Sequence, residues 1–134
     1  MTHRVLVVDD DPGILYTVRH LLSNGGFDVS TAEGGEHCLQ QLREGFRGVI
    51  LMDIMMPRLN GWQTIGHMLD ERLVEGNVIS MLTAVGDPGG EGEPAAEVVV
   101  DYIRKPFRAE DLLEQVRQFA TYLDPAGAPI SPAE

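Results

Sequence analysis

The residues able to do chemistry here are Asp9, Asp10 and Asp11 in one run, then Asp53, Thr83 and Lys105. Carboxylates brought together repel unless a cation joins them. Oxygen-only ligands suit Mg²⁺ or Mn²⁺, and Mg²⁺ binds through a few carboxylates, several waters and a phosphate. A lysine beside them supplies a compact positive charge for phosphate oxygens, and a threonine hydroxyl can donate to another oxygen. A carboxylate set between a metal and a lysine can act as the nucleophile of a phosphoryl transfer, whose catalysis is mostly positioning and charge neutralisation. Any one of these residues alone reads equally well as a cap or turn. All of them at one edge of one sheet are harder to explain that way.

The elements around them put them at such an edge. Strand-length apolar runs occur at Val5 to Val8, Val49 to Met52 and Val78 to Leu82, with weaker runs at Phe27 to Thr31 and Val98 to Ile103. The strong runs are almost continuously apolar, as expected of strands buried on both faces of a parallel sheet. Helix-period segments lie between them. Ile14, Leu15, Val18, Leu21 and Leu22 share one face, Asp11 is placed to cap that helix and Pro12 suits its first position. Asn24-Gly25-Gly26 stops it. A second helix carries Cys38, Leu39, Leu42 and Phe46, a third Trp62, Ile65, Met68 and Leu69, and a last one Leu112, Leu113, Val116, Phe119, Ala120 and Leu123. Strand and helix alternate, which predicts a doubly wound α/β domain with a parallel sheet and helices on both faces. In such sheets sites form beyond the carboxyl ends of the strands. Asp9 to Asp11 follow the first strand, Asp53 ends the third, Thr83 follows the fourth and Lys105 the fifth.

One stretch breaks the alternation. Residues 86–94 hold four glycines and two prolines. A regular helix there would cost on the order of 7–10 kcal/mol relative to alanine. A shortened helix or a loop is predicted between the fourth and fifth strands, with room only for a short turn from Pro94 through Glu97. The predicted domain spans 1–123, and 124–134, rich in Pro, Ala and Gly, reads as a disordered tail or linker.

The runs Val-Leu-Val-Val-Asp-Asp-Asp-Pro at 5–12, Leu-Met-Asp-Ile-Met-Met-Pro at 51–57 with Asn60-Gly61, Met-Leu-Thr-Ala at 81–84 and Tyr-Ile-Arg-Lys-Pro-Phe at 102–107 resemble the receiver domain of bacterial two-component response regulators. The likeness covers about residues 4 to 123. It implies a flavodoxin-like sheet of five strands in the order 2-1-3-4-5. It also implies Asp53 as the phospho-acceptor, taking a phosphoryl group from a phosphohistidine of a sensor histidine kinase or phosphotransfer protein. Asp9, Asp10 and Asp53, with the Met55 backbone carbonyl, would hold the metal. Thr83 and Lys105 would meet the phosphoryl group. Thr83 and Tyr102 would be the switch pair, and the Lys105-Pro106 bond would be cis. A receiver of this kind is a signalling module that catalyses only its own phosphorylation and dephosphorylation, in the cytoplasm. Its output is a change in binding to a partner the sequence does not name, and a homodimer on phosphorylation is left open.

The chain departs from the family in three places. The Gly/Pro stretch falls where a helix of the usual output face is expected. Arg108 stands where a capping residue such as Asp would better start the last helix. Met55 and Val85 bring apolar side chains where polar ones often guide a water. The departure at 86–94 keeps a second reading open, that of a degenerate receiver serving as a phosphorylation-independent binding scaffold. A phosphohydrolase of the haloacid-dehalogenase type is disfavoured, because Met55 stands where its second acid would.

Composition narrows the partners. Ten basic against 21 acidic residues leave a net charge of −11, which disfavours nucleic acid and anionic membrane surfaces. The single cysteine, Cys38, allows no internal disulfide, and no apolar run reaches the length of a membrane span. Met1-Thr2-His3-Arg4 does not read as a signal peptide. His3, His20, His37 and His67 show no metal-binding spacing, and Arg104 reads as a solvated charge.

Overall fold

The computed structural model describes residues 3–123. Strands β1 (Arg4–Val8), β2 (Asp28–Ala32), β3 (Val49–Asp53), β4 (Val78–Thr83) and β5 (Val99–Arg104) alternate with helices α1 (Pro12–Asn24), α2 (Gly35–Arg43), α3 (Gly61–Asp70) and α4 (Ala109–Ala120). All pairings are parallel, and the sheet runs β2-β1-β3-β4-β5. This is the five-stranded, doubly wound order expected. The strand order reverses between β1 and β3, so the crevice beyond their carboxyl ends lies between Asp9 and Asp53.

Strand pleat divides the core in two. Val5, Val7, Val49 and Leu51 pack with Leu15, Val18 and Leu22 of α1 and Leu112, Val116 and Phe119 of α4. Leu6, Val8, Ile50 and Met52 face the other way, onto Cys38, Leu39 and Leu42 of α2 and Trp62, Ile65 and Met68 of α3. These strand side chains are fully buried, each contributing about 1.5–3 kcal/mol of transfer free energy. That burial is what fixes the strand ends carrying the acids. Burial also pushes the Cys38 thiol up to about 12, so it packs as a small apolar group.

Helix boundaries follow local chemistry. The Asp11 side chain accepts the Gly13 N–H at 2.8 Å and Pro12 opens α1. Gly25 caps its end, and Gly26 takes φ +98°. Asn60 and Gln63 form a reciprocal capping box at the start of α3. Arg108 makes no side-chain cap for α4. Two apolar positions predicted on helices lie past their ends: α2 stops at Arg43, with Gly45 at φ +110° before Phe46, and Leu123 follows the close of α4 at Ala120. Both are nonetheless buried. Leu69, assigned to the apolar face of α3, is exposed instead, because it sits beyond the stripe set by Trp62, Ile65 and Met68.

Between β4 and β5 there is no α-helix. A single 3-10 turn, Pro94–Val98, follows a loop and packs against α3. The glycine and proline content accounts for this. The predicted tail at 124–134 lies outside the described residues.

Candidate functional site

Two short links carry the acids into the crevice. Asp9 follows β1 and is 1% exposed, with one carboxylate oxygen accepting the Asp11 N–H at 2.9 Å. Asp53 closes β3 and is also buried, while Asp10 is exposed. Carboxylate oxygens of Asp9, Asp10 and Asp53 lie within 4.8 Å of one another. Lys105, one residue past β5, bridges two of them. Its Nζ donates to Asp9 Oδ2 at 2.8 Å and to Asp53 Oδ1 at 3.1 Å. Asp11 stays out of the group as the α1 cap.

Backbone bonds stitch the strand ends together. The Ile54 N–H donates to the Leu82 carbonyl at 3.3 Å, and the Lys105 N–H to the Thr83 carbonyl at 2.7 Å. The Lys105-Pro106 bond is cis. Gly61 has no room for a side chain: a β-carbon there would lie 2.5 Å from the Asp53 carbonyl oxygen and 2.9 Å from Met81 Cε. The Asn60-Gly61 pair is visible in the sequence, but the close approach that requires glycine is a packing fact.

The charges do not balance. Burial raises the Asp53 carboxyl, the Asp9 carboxylate raises it further, and Lys105 only partly offsets both, leaving it at about 7. For Lys105, burial pulls the ammonium down, but its hydrogen bond to Asp9 and the charges of Asp9 and Asp53 outweigh that and leave it above its ordinary value. Three carboxylates facing one ammonium form an oxygen-rich set that is short of positive charge. Such a donor set fits a hard divalent cation such as Mg²⁺.

The side chains of the remaining expected residues make no recorded contact with this group. Thr83 is the last residue of β4 and half-buried, its Oγ1 3.5 Å from the Ala84 carbonyl oxygen. Met55 follows two residues after Asp53 with its side chain half exposed, and Val85 is 89% exposed. Tyr102 on β5 is partly exposed and lies by Trp62, ring centroids 6.2 Å apart. Asp87 was not anticipated; its carboxylate accepts the Ala84 N–H just after Thr83. An acid two to four residues past a strand end is a recognisable turn former, but nothing in the sequence says which amide it takes.

Residues 5–117 match the family described as the response regulator receiver domain. The chain is 34% identical over 114 residues to the transcriptional regulatory protein CpxR homolog of Haemophilus influenzae, covering 85% of this chain and 48% of that protein. It spans about half the length of the curated relatives it matches. Among solved structures, a CheY-like response regulator receiver domain protein from Methanospirillum hungatei superposes with a TM-score of 0.86 at 44% identity, covering 89% of this chain and 94% of that one. The response regulator protein TrrA from Thermotoga maritima, solved in complex with Mg²⁺-BeF, superposes at 0.73 with 28% identity over 89% of this chain and 99% of that one.

Proposed function

The chain belongs to the response regulator receiver domain family, the signalling module of two-component systems, and from that premise we propose that Asp53 accepts a phosphoryl group from a phosphohistidine. The donor is a sensor histidine kinase or a phosphotransfer protein. One observation carries the reading: the buried Asp53 carboxylate at the end of β3 shares the Lys105 ammonium with Asp9, in a crevice short of positive charge.

In the reaction an Asp53 carboxylate oxygen attacks phosphorus. The bond from phosphorus to the donor's imidazole nitrogen breaks, a phosphorus–oxygen bond forms, and the imidazole leaves with the bonding pair. Lys105 holds Asp53 by its Oδ1 and carries the positive charge that the incoming phosphoryl oxygens need. Asp9, Asp10, Asp53 and the Met55 backbone carbonyl would hold Mg²⁺, with Mn²⁺ as a substitute. When bound, that cation neutralises charge on the transferring group. That TrrA was solved in complex with Mg²⁺-BeF supports a divalent cation in this reading, by similarity. Thr83 supplies a hydroxyl donor to the phosphoryl group, and Tyr102 responds to it.

The intact protein is weighed after incubation with acetyl phosphate and Mg²⁺, as wild type and Asp53→Asn. One added phosphoryl mass in the wild type and none in the variant is expected. Equal gain in both rejects Asp53 as the acceptor.

A further inference from the structure

Beside the carboxylate group lies an open cleft of about 520 Å³. Three segments line it: the start of α1, residues 33–37 at the start of α2, and residues 57–59 between β3 and α3. Its walls are set by contacts within the fold. A β-carbon on Gly35 would lie 2.9 Å from Leu59 Cβ and would run into the Thr64 hydroxyl, so the start of α2 is pressed against the segment that follows β3. In that segment the Leu59 N–H donates to the Pro57 carbonyl at 2.8 Å across Arg58, which takes φ +68°. Walls fixed before a ligand arrives need little ordering when it binds.

The lining is unbalanced in charge. Asp10, Glu33 and Glu36 stand against one guanidinium, that of Arg58. None of the four makes an ion pair among the described residues. Gly34 caps α2 without a side-chain hydrogen bond, and the positive end of that helix counts for about half a unit charge. Three carboxylates less one guanidinium and that half charge leave about −1.5. Leu15, Pro57 and Leu59 add apolar lining. A cleft with low-dielectric walls and an excess of one sign concentrates its field on what enters. Its volume is that of a small-molecule site. An anion would meet three carboxylates there, and a neutral apolar molecule would leave them unanswered.

Asp10 belongs to two places at once. It lines the cleft, and a carboxylate oxygen of Asp10 lies within 4.8 Å of those of Asp9 and Asp53. We propose that the cleft binds a small organic cation, an ammonium or guanidinium group on an apolar body, and that this ligand competes with the divalent metal for Asp10. The first half stands on the cleft alone, and the second rests on the metal reading given above. A cation held in the cleft draws on the Asp10 charge that Mg²⁺ would use, so each weakens the other. Loading of the receiver then depends on the concentration of the amine.

The probe is benzylamine, with benzyl alcohol as its neutral counterpart, followed by amide NMR of the whole chain without metal. Benzylamine at millimolar concentration is expected to shift the amides of 33–37 and 57–59, and benzyl alcohol to bind at least about 5-fold more weakly. Equal affinity for the two, or no shift at those amides, overturns the cleft. The Glu33→Gln/Glu36→Gln pair is expected to weaken benzylamine by about 5-fold, and Arg58→Gln to strengthen it by about 2-fold. Weaker binding in Arg58→Gln, or unchanged binding in the acid pair, overturns the charge account. Excess Mg²⁺ is expected to weaken benzylamine by about 2–5-fold in the wild type and not in Asp10→Asn. Mg²⁺ that shifts the amides of Asp9 and Asp53 while leaving benzylamine affinity unchanged overturns the competition and leaves the metal site standing. Mg²⁺ that shifts neither overturns the metal reading, and the competition with it, while the cleft stands on its own binding data.

Discussion

The carboxylate group and the loop at 84–93 lie side by side at one edge of the sheet, and they are held by opposite means. Asp9 and Asp53 extend from strands whose apolar side chains are wholly buried on both faces, and ladder bonds between β1, β3 and β4 set their positions. The loop has one buried indole, one carboxylate and one glycine contact. The first region is fixed by many cooperative contacts, so it can hold like charges together at a cost in stability. The second is fixed by few, so small free energies can move it.

The largest effect that would test this contrast comes from crowding the rigid side. Gly61→Ala should destabilise by about 3 kcal/mol, because backbone and the Met81 side chain leave no room for the new carbon. A urea midpoint within error of wild type would mean that the crevice wall is softer than described.

Removing the central cation comes next. Lys105→Ala leaves the buried Asp9 and Asp53 without their shared ammonium, and a loss of about 2 kcal/mol is expected at pH 8. The loss should shrink toward pH 5, where Asp53, raised to about 7, takes up a proton and the repulsion falls. A loss that does not vary with pH would show that the lysine acts by packing alone.

Neutralising the acceptor should do the reverse. The Asp53 carboxyl titrates at about 7 when folded against an ordinary value of 3.8. Between these values the folded state binds more protons than the unfolded one, so this group's contribution to stability is full below pH 4 and is lost as pH rises through 7. Asp53→Asn should therefore be more stable than wild type by about 1–2 kcal/mol at pH 8 without divalent metal, and no more stable near pH 4. Adding Mg²⁺ should close the gap by stabilising the wild type. Denaturant melts at both pH values, with and without Mg²⁺, check the sign. A variant less stable than wild type at pH 8 contradicts the charge imbalance.

The smallest effect belongs to the loop at 84–93. Asp87→Ala removes one hydrogen bond from a half-buried turn, and its cost should be about 0.5–1 kcal/mol in local opening, with no measurable change in the global urea midpoint. Amide exchange at Ala84 reads the first and urea melts the second. A global loss as large as that of Gly61→Ala would erase the distinction between the two regions.

Much of the rigid region could be read from residue order. Continuous apolar runs mark the strands, Asp11-Pro12 and Gly25-Gly26 mark the ends of α1, and the acids and Lys105 fall where those runs end. The break at 86–94 was equally legible, since the cost of glycine and proline in a helix is local. The sequence also showed the missing cap at Arg108. The Asn60/Gln63 box has the spacing of a capping box, which is a local signal.

Contacts that depend on where distant segments meet were decided by tertiary structure. Asn77 is buried, with its side chain accepting the Gly48 N–H and donating to the Leu73 carbonyl, and no spacing announces that pairing. Trp62 read as core and is core, yet its indole N–H reaches 26 residues along the chain to Pro88. Gly90 counted in the sequence only as one more helix breaker. In the fold it is the residue that lets the chain cross Tyr102. Local propensity and burial pattern are properties of neighbouring residues and survive in a one-dimensional reading. A hydrogen bond or a close approach between remote residues exists only once the sheet has set their distance.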